Sequence, residues 1–134
     1  MNPAAIVSKM LENDAFSRWL GIEVVHCEAG ACTLSMQIRS EMLNGFGIAH
    51  GGITYALADS ALAFASNAHG RKALSIETSI NHTETLKDGD KIIAVATELS
   101  LKNSIAIYQV TITSKDKQVA LFKGIVYRTE KEWV

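Results

Sequence analysis

Cysteine and proline are almost missing from this chain: two cysteines and one proline in 134 residues. Two cysteines cannot complete a four-cysteine zinc site, and no histidine pair follows at finger spacing, so no metal is expected. Cys27 and Cys32 flank the turn-like Glu28-Ala29-Gly30-Ala31 and could face each other across a hairpin. In a reducing compartment the expectation is two ordinary buried thiols. Pro3 stands alone, so no proline-rich linker divides the chain. No stretch reaches the ~18 uninterrupted apolar residues of a membrane span. Met1-Asn2-Pro3-Ala4-Ala5 lacks the basic start of a signal peptide, so a cytoplasmic protein with no membrane partner is expected. Net charge is −1, which gives no broad pull toward nucleic acid. The G-x-S-x-G elbow, the P-loop, H-E-x-x-H and the dinucleotide fingerprint are all absent.

Apolar residues make up 48% and charged residues 20% of the chain, enough for one folded domain over 1–134. Asn2-Pro3 reads as a helix cap with proline at the first helical position. Ile6, Val7, Met10 and Leu11 follow at helical spacing. Asp14 can cap a second turn carrying Phe16, Trp19 and Leu20, so residues 3–20 read as one broken helix or two short ones. From Ile22 the period becomes two. Cys32, Leu34, Met36 and Ile38 alternate with polar residues, with Ile22–Cys27 as hairpin partner. After a loop at 40–47 and His50-Gly51-Gly52, the alanine-rich run 53–67 is apolar nearly all round, the mark of a buried helix. Four strands complete the chain. The first alternates Leu74, Ile76, Thr78 and Ile80 with Ser75, Glu77, Ser79 and Asn81. The second carries Ile93, Val95, Thr97, Leu99 and Leu101. The third shifts phase between Ile107 and Tyr108, which predicts a bulge there. The last covers 119–128. Short turns between strands imply antiparallel pairing. The expected fold is α+β, an antiparallel sheet wrapped around one buried helix, with edge strands that self-association can cover.

Asp59 is the anomaly. Aspartate is a poor helix former, and burial either demands a partner or raises its pKa toward that of a general base. A structural acid is the alternative. At the head of the same helix, Gly51 and Gly52 let a ligand approach amides that lack intrahelical acceptors. The helix dipole adds partial positive charge, and together these features suit an oxyanion hole. A turn that simply needs glycine is the alternative. Asp59 lies eight residues beyond Gly51, about 12 Å along the helix. That is too far for both to touch one reacting carbon within a chain; two subunits facing each other remove the difficulty. Asn44 can make a plain turn or position a substrate carbonyl or water. His50 reads as an orienting hydrogen-bond donor. His26, His69 and His82 read as surface or loop residues.

The segment Met42-Leu43-Asn44-Gly45-Phe46-Gly47-Ile48-Ala49-His50-Gly51-Gly52, with Leu57-Ala58-Asp59-Ser60-Ala61 and Ala65-Ser66-Asn67, resembles the hot-dog-fold thioesterases of the phenylacetic-acid-degradation (PaaI) type. The resemblance covers nearly the whole chain. It implies an acyl-CoA thioesterase, a homodimer usually paired into a tetramer, with active sites at the dimer interface. Coenzyme A is then part of the substrate, and no cofactor is implied. The Gly51 amide would polarise the thioester carbonyl, and Asp59 of the facing subunit would serve as general base or nucleophile. Asn44 would place substrate or water, and His50 would support the carbonyl end. Ser75 matches an accessory polar residue near the acid. Gly52, Phe46, Tyr55 and Leu62 are candidates for the acyl pocket. The missing His-Phe-Pro signature sets the chain apart from the hot-dog dehydratases. A non-catalytic acyl-CoA-binding protein on the same fold is the alternative function; a purely structural oligomer leaves the Asn44, His50-Gly51 and Asp59 constellation unexplained.

Overall fold

A computed structural model describes residues 1–134. Helix α1 (Pro3–Glu12) starts where the Asn2 side chain accepts the Ala5 N–H at 2.8 Å, a cap that satisfies one orphan amide. Helix α2 (Ala15–Leu20) starts at Asp14, whose carboxylate accepts from Ser17 N–H at 3.0 Å, and stops at Gly21 with φ of 76°. Residues 3–20 are therefore two short helices, each with its own cap.

The long helix α3 (Gly51–Asn67) lies against six strands: β1 (Glu23–Glu28), β2 (Ala31–Gln37), β3 (Arg71–His82), β4 (Lys91–Leu101), β5 (Ile105–Ser114) and β6 (Lys117–Glu132). They form one antiparallel sheet in the order β1-β2-β4-β5-β6-β3. Leu57, Ala58, Ala61, Leu62, Phe64 and Ala65 of α3 are buried against Leu34, Met36, Ile92, Ala94, Ala96, Val110, Ile112 and Phe122 of the sheet. Alanines on both sides let helix and sheet approach closely. The contact is closest at Gly124, where an added methyl carbon would stand 2.7 Å from Leu62. No helix is long and apolar enough to cross a membrane.

Several expectations are corrected. The turn after β3 does not join neighbouring strands: β3 crosses to the sheet edge beside β6, and β4 enters between β2 and β5. In β4 the inward residues are Ile92, Ala94 and Ala96, while Ile93, Val95, Leu99 and Leu101 lie exposed on the outer face. Strand β5 carries no bulge at Tyr108; Ala106, Tyr108, Val110 and Ile112 alternate inward without a break. The irregularity sits in the partner strand, where Glu98 pairs with Tyr108 and Ser100 with Ile107, leaving Leu99 unpaired. Cys27 and Cys32 are not free thiols. They are paired across the β1–β2 hairpin and joined as a disulfide.

Strand β3 has a bulge of its own. Ser75 pairs with Val126 and Glu77 with Ile125, so Ile76 has no partner. The slip reverses the faces of the strand. Before it, Ala73 is buried and Ser75 turns to α3; after it, Thr78 and Ile80 face inward. Ser75 is therefore not on an outer polar face. Leu74 and Ile76 are left 65% and 60% exposed on this edge strand.

His69 lies in the turn after α3, as expected of a loop residue, and is engaged there. Its Nε2 lies 2.5 Å from Glu98 Oε2, which also accepts the Tyr108 hydroxyl at 2.7 Å. Burial pushes the Glu98 carboxyl up, but the hydrogen bonds from His69 and Tyr108 outweigh it and hold the carboxyl below the usual range. His26 is exposed, as expected, near Glu28.

Candidate active site

Asp59 projects from the middle of α3 into a cavity of about 380 Å³. Leu62, Ala63, Ser66 and Asn67 share its helical stripe, and Ser75 and Val126 close the sheet side. The lining is mainly apolar, so desolvation is the main cause that raises the Asp59 carboxyl; the charge of Asp14 adds to it. Asp14 is near because α2 is bolted to α3: its carboxylate accepts the Ser17 hydroxyl at 2.6 Å, and that hydroxyl lies 2.8 Å from Ser60. The helix cap that starts α2 thus also sets the electrostatics beside Asp59.

The head of α3 opens on a different cavity, of about 200 Å³, lined by Asn44, Gly51, Thr54 and His82 among others. His50 caps the helix, its Nδ1 accepting the Gly52 N–H at 3.1 Å. That bond places the ring proton on Nε2, which remains a donor. It also commits the Gly52 amide, while the Gly51 N–H, in the first turn of the helix, has no intrahelical acceptor. Asn44 builds the loop before the helix: its side-chain oxygen accepts the Phe46 N–H at 2.9 Å, and its own N–H donates to the Ile48 carbonyl at 2.8 Å. Its side-chain NH₂ makes no hydrogen bond within the chain, and the residue lines the cavity.

Thr54 and His82, the latter expected as a surface or loop residue and found exposed at the end of β3, complete this end of the helix. Thr54 Oγ1 donates to the Gly51 carbonyl at 3.1 Å and lies 2.7 Å from His82 Nε2. The hydroxyl has one proton, so His82 donates to it. The His82 ring is thereby held beside Gly51, where an added methyl carbon would stand 3.2 Å from its Cε1. A methyl at 51 would press on this ring and oblige it to give by a few tenths of an ångström; no unusual φ calls for glycine there. Thr54, one turn beyond Gly51, is the signal available in the sequence; the position of His82 depends on the sheet.

Asp59, Leu62 and Ser75 are thus together, and Asn44 and Gly51 are together, in two separate cavities. Phe46 and Tyr55 line neither. Phe46 stands 90% exposed at the loop tip. Tyr55 packs edge-on against Phe122 with its hydroxyl on Thr78. No group of three His, Cys, Asp or Glu side chains is placed to hold a metal ion.

This arrangement, a helix-head glycine beside a capping histidine with a mid-helix acid in a curled sheet, has relatives. Residues 46–121 match the thioesterase superfamily. The chain belongs to that superfamily. It is a PaaI-like hot-dog thioesterase, and so a thioester hydrolase. The acyl-coenzyme A thioesterase PaaI of Escherichia coli is 33% identical over 89% of this chain and 86% of its own length. The structure of that PaaI protein, from the phenylacetic acid degradation operon, superposes with a TM-score of 0.94 over 97% of this chain and 95% of that one, at 30% identity. A putative esterase of Archaeoglobus fulgidus is 38% identical over 92% of this chain and 81% of its own. The smu.793 protein of Streptococcus mutans, solved bound to acetyl CoA, covers 84% of this chain and 91% of its own at 25% identity and a TM-score of 0.81. The hot-dog thioesterase fold is thus the expected one.

Proposed function

We propose that this thioesterase hydrolyses an acyl-CoA to a carboxylic acid and free CoA, at sites shared between two copies of the chain. The observation that carries the reading is the division of one helix into two unlike half-sites, an amide donor at its head and a desolvated acid two turns on. The E. coli relative named an acyl-CoA thioesterase and the S. mutans relative bound to acetyl CoA support the substrate class.

In this mechanism the thioester carbonyl oxygen accepts from the Gly51 N–H, with the helix dipole behind it. Asn44 and the His50 Nε2–H orient the carbonyl end. Asp59 of the facing copy takes a proton from water as the water oxygen bonds to the carbonyl carbon. The tetrahedral adduct collapses, the C–S bond breaks, and the CoA thiolate receives the proton. Ser75 sits where it can hold the water beside Asp59. The raised Asp59 carboxyl is a stronger base toward that water than an ordinary carboxylate. No step calls on a cofactor. The unpaired β3 edge, with Leu74 and Ile76 outward, offers the surface for a second copy, and the apolar outer face of β4 offers one for a pair of dimers.

The test is a panel of acyl- and aryl-CoA esters with detection of free thiol. Asp59→Asn is expected to lower kcat by about 10²–10⁴-fold, the usual contribution of a general base, while leaving the elution volume on gel filtration unchanged. Thiol release by Asp59→Asn at the wild-type rate would remove Asp59 from the mechanism. Binding of CoA esters with no thiol release by the wild type would point to the acyl-CoA-binding alternative.

A further inference from the structure

The cavity beside Asp59 has an end wall that comes from neither α3 nor the sheet. Strand β6 ends at Glu132, and the next residue, Trp133, folds back over the end of α3. Its backbone N–H donates to the Gly70 carbonyl at 2.8 Å, and its indole Nε1 donates to Asn67 Oδ1 at 2.9 Å. The Lys72 ammonium stands 5.0 Å over the ring, in cation–π range. Asn67 is itself locked: its NH₂ donates to the carbonyls of Ala63 at 2.8 Å and Ala73 at 3.1 Å, and its Oδ1 also accepts the Ala73 N–H at 3.0 Å. Met10 of α1 lines the same cavity.

Asp59, Leu62, Ala63, Ser66 and Asn67 fall at i, i+3, i+4, i+7 and i+8, one stripe of the helix. From Asp59 to Asn67 the stripe runs about 12 Å. The geometry points to Trp133 as the residue that sets the longest acyl chain this thioesterase accepts. The chain enters past Asp59, follows the stripe, and stops at the indole. This rests on Asp59 being the centre of hydrolysis. The wall is stiff because the indole hydrogen bond, the backbone hydrogen bond and the lysine all oppose its swinging out. A methylene in or out of such an apolar pocket is worth about 10–200-fold in discrimination.

The experiment is a ladder of saturated acyl-CoAs from acetyl to hexadecanoyl, with kcat/KM measured at each length. For the wild type the values are expected to rise with chain length and then drop sharply. In Trp133→Ala the drop moves to longer chains, and the ratio of kcat/KM for the first rejected length to that for the last accepted length rises at least tenfold. Ala63→Leu, which fills the stripe before the wall, moves the drop the other way. If Trp133→Ala melts below the assay temperature, Trp133→Leu carries the same test. A ladder unchanged in these folded variants overturns the role of Trp133 and leaves the proposed hydrolysis standing. Failure of the wild type to release thiol from any member of the ladder overturns the role of Trp133, and failure on aryl-CoA esters as well overturns the proposed hydrolysis.

Discussion

Replacing Thr54 by valine tests how the head of α3 is assembled. The side chain is 3% exposed, and valine matches its shape, so no cavity opens. The hydroxyl makes two hydrogen bonds, donating to the Gly51 carbonyl and accepting from His82. Each is worth about 0.5–1.5 kcal/mol net. Neither partner is stranded by their loss: the Gly51 carbonyl keeps its place in the helical ladder, and the exposed His82 ring can turn to water. The expected cost is therefore about 1–3 kcal/mol, without the larger penalty of a buried orphan. A 134-residue chain has an unfolding entropy of about 0.28 kcal/mol per kelvin, so Tm should fall by about 4–11 °C. Thermal melts of Thr54→Val, His82→Ala and the double variant form a cycle, with an expected coupling of about 1 kcal/mol. Loss of the ring's anchor should also lower kcat more than it changes KM, because the ring borders the Gly51 amide. A coupling indistinguishable from zero, or a Tm equal to that of the wild type, would refute the clamp.

The acid limb of the pH–kcat/KM profile should lie above the ordinary carboxylate range, because burial and then Asp14 raise Asp59. Asp14→Asn keeps a good helix cap and removes the second cause, so that limb should move to lower pH; an unmoved limb would detach Asp14 from the site. The raised Asp59 carboxyl also has a stability consequence. The folded state holds the proton more tightly, so stability falls as pH rises from the unfolded value near 3.9 through the folded one, and stays reduced above it. Asp59→Asn should accordingly melt above the wild type at pH 7, with the advantage gone below about pH 3.9; a lower Tm at neutral pH would contradict the sign. Gly124→Ala should cost about 1–3 kcal/mol by overpacking, since the new methyl meets Leu62 at 2.7 Å. Chemical denaturation measures it, and because Leu62 lines the Asp59 cavity, the acyl-CoA profile should contract as well.

Much of this molecule is local and therefore readable in one dimension. The caps at Asn2 and Asp14, the buried stripe of α3 and the hairpins come from short-range spacing. So does the misplaced acid in an apolar helix, and helix rise alone separates Asp59 from Gly51. What is not readable depends on which strand lies beside which. The crossing of β3 to the edge beside β6 leaves no trace in its own residues, yet it decides that His82 arrives at Gly51. The unpaired Ile76 has the same spacing as its neighbours in an alternating strand, so Ser75 reads as outward until its pairing with Val126 is known. The β4 residues deceive for a related reason: the outward Ile93, Val95, Leu99 and Leu101 are larger than the inward Ala94 and Ala96, which pack in the core with α3. The expectation of free thiols rests on an assumed compartment, while the hairpin register places the two cysteines opposite one another. Trp133 gains its meaning only from the fold, which lays the residues after β6 against Asn67.

The unpaired residue in β3 has one more implication. It divides a single strand into two lengths that answer to different demands. Residues 73–75 are held to the cavity, and residues 78–80 to the aromatic packing around Tyr55. Side chains on the first length can be exchanged without the second having to repack, so the pocket can be retuned while the shell that carries it stays fixed. A deletion at Ile76 would end that independence: Ser75 and Glu77 would become neighbours opposite Val126 and Ile125 in continuous pairing, so Ser75 would still face the cavity while the two lengths could no longer adjust separately.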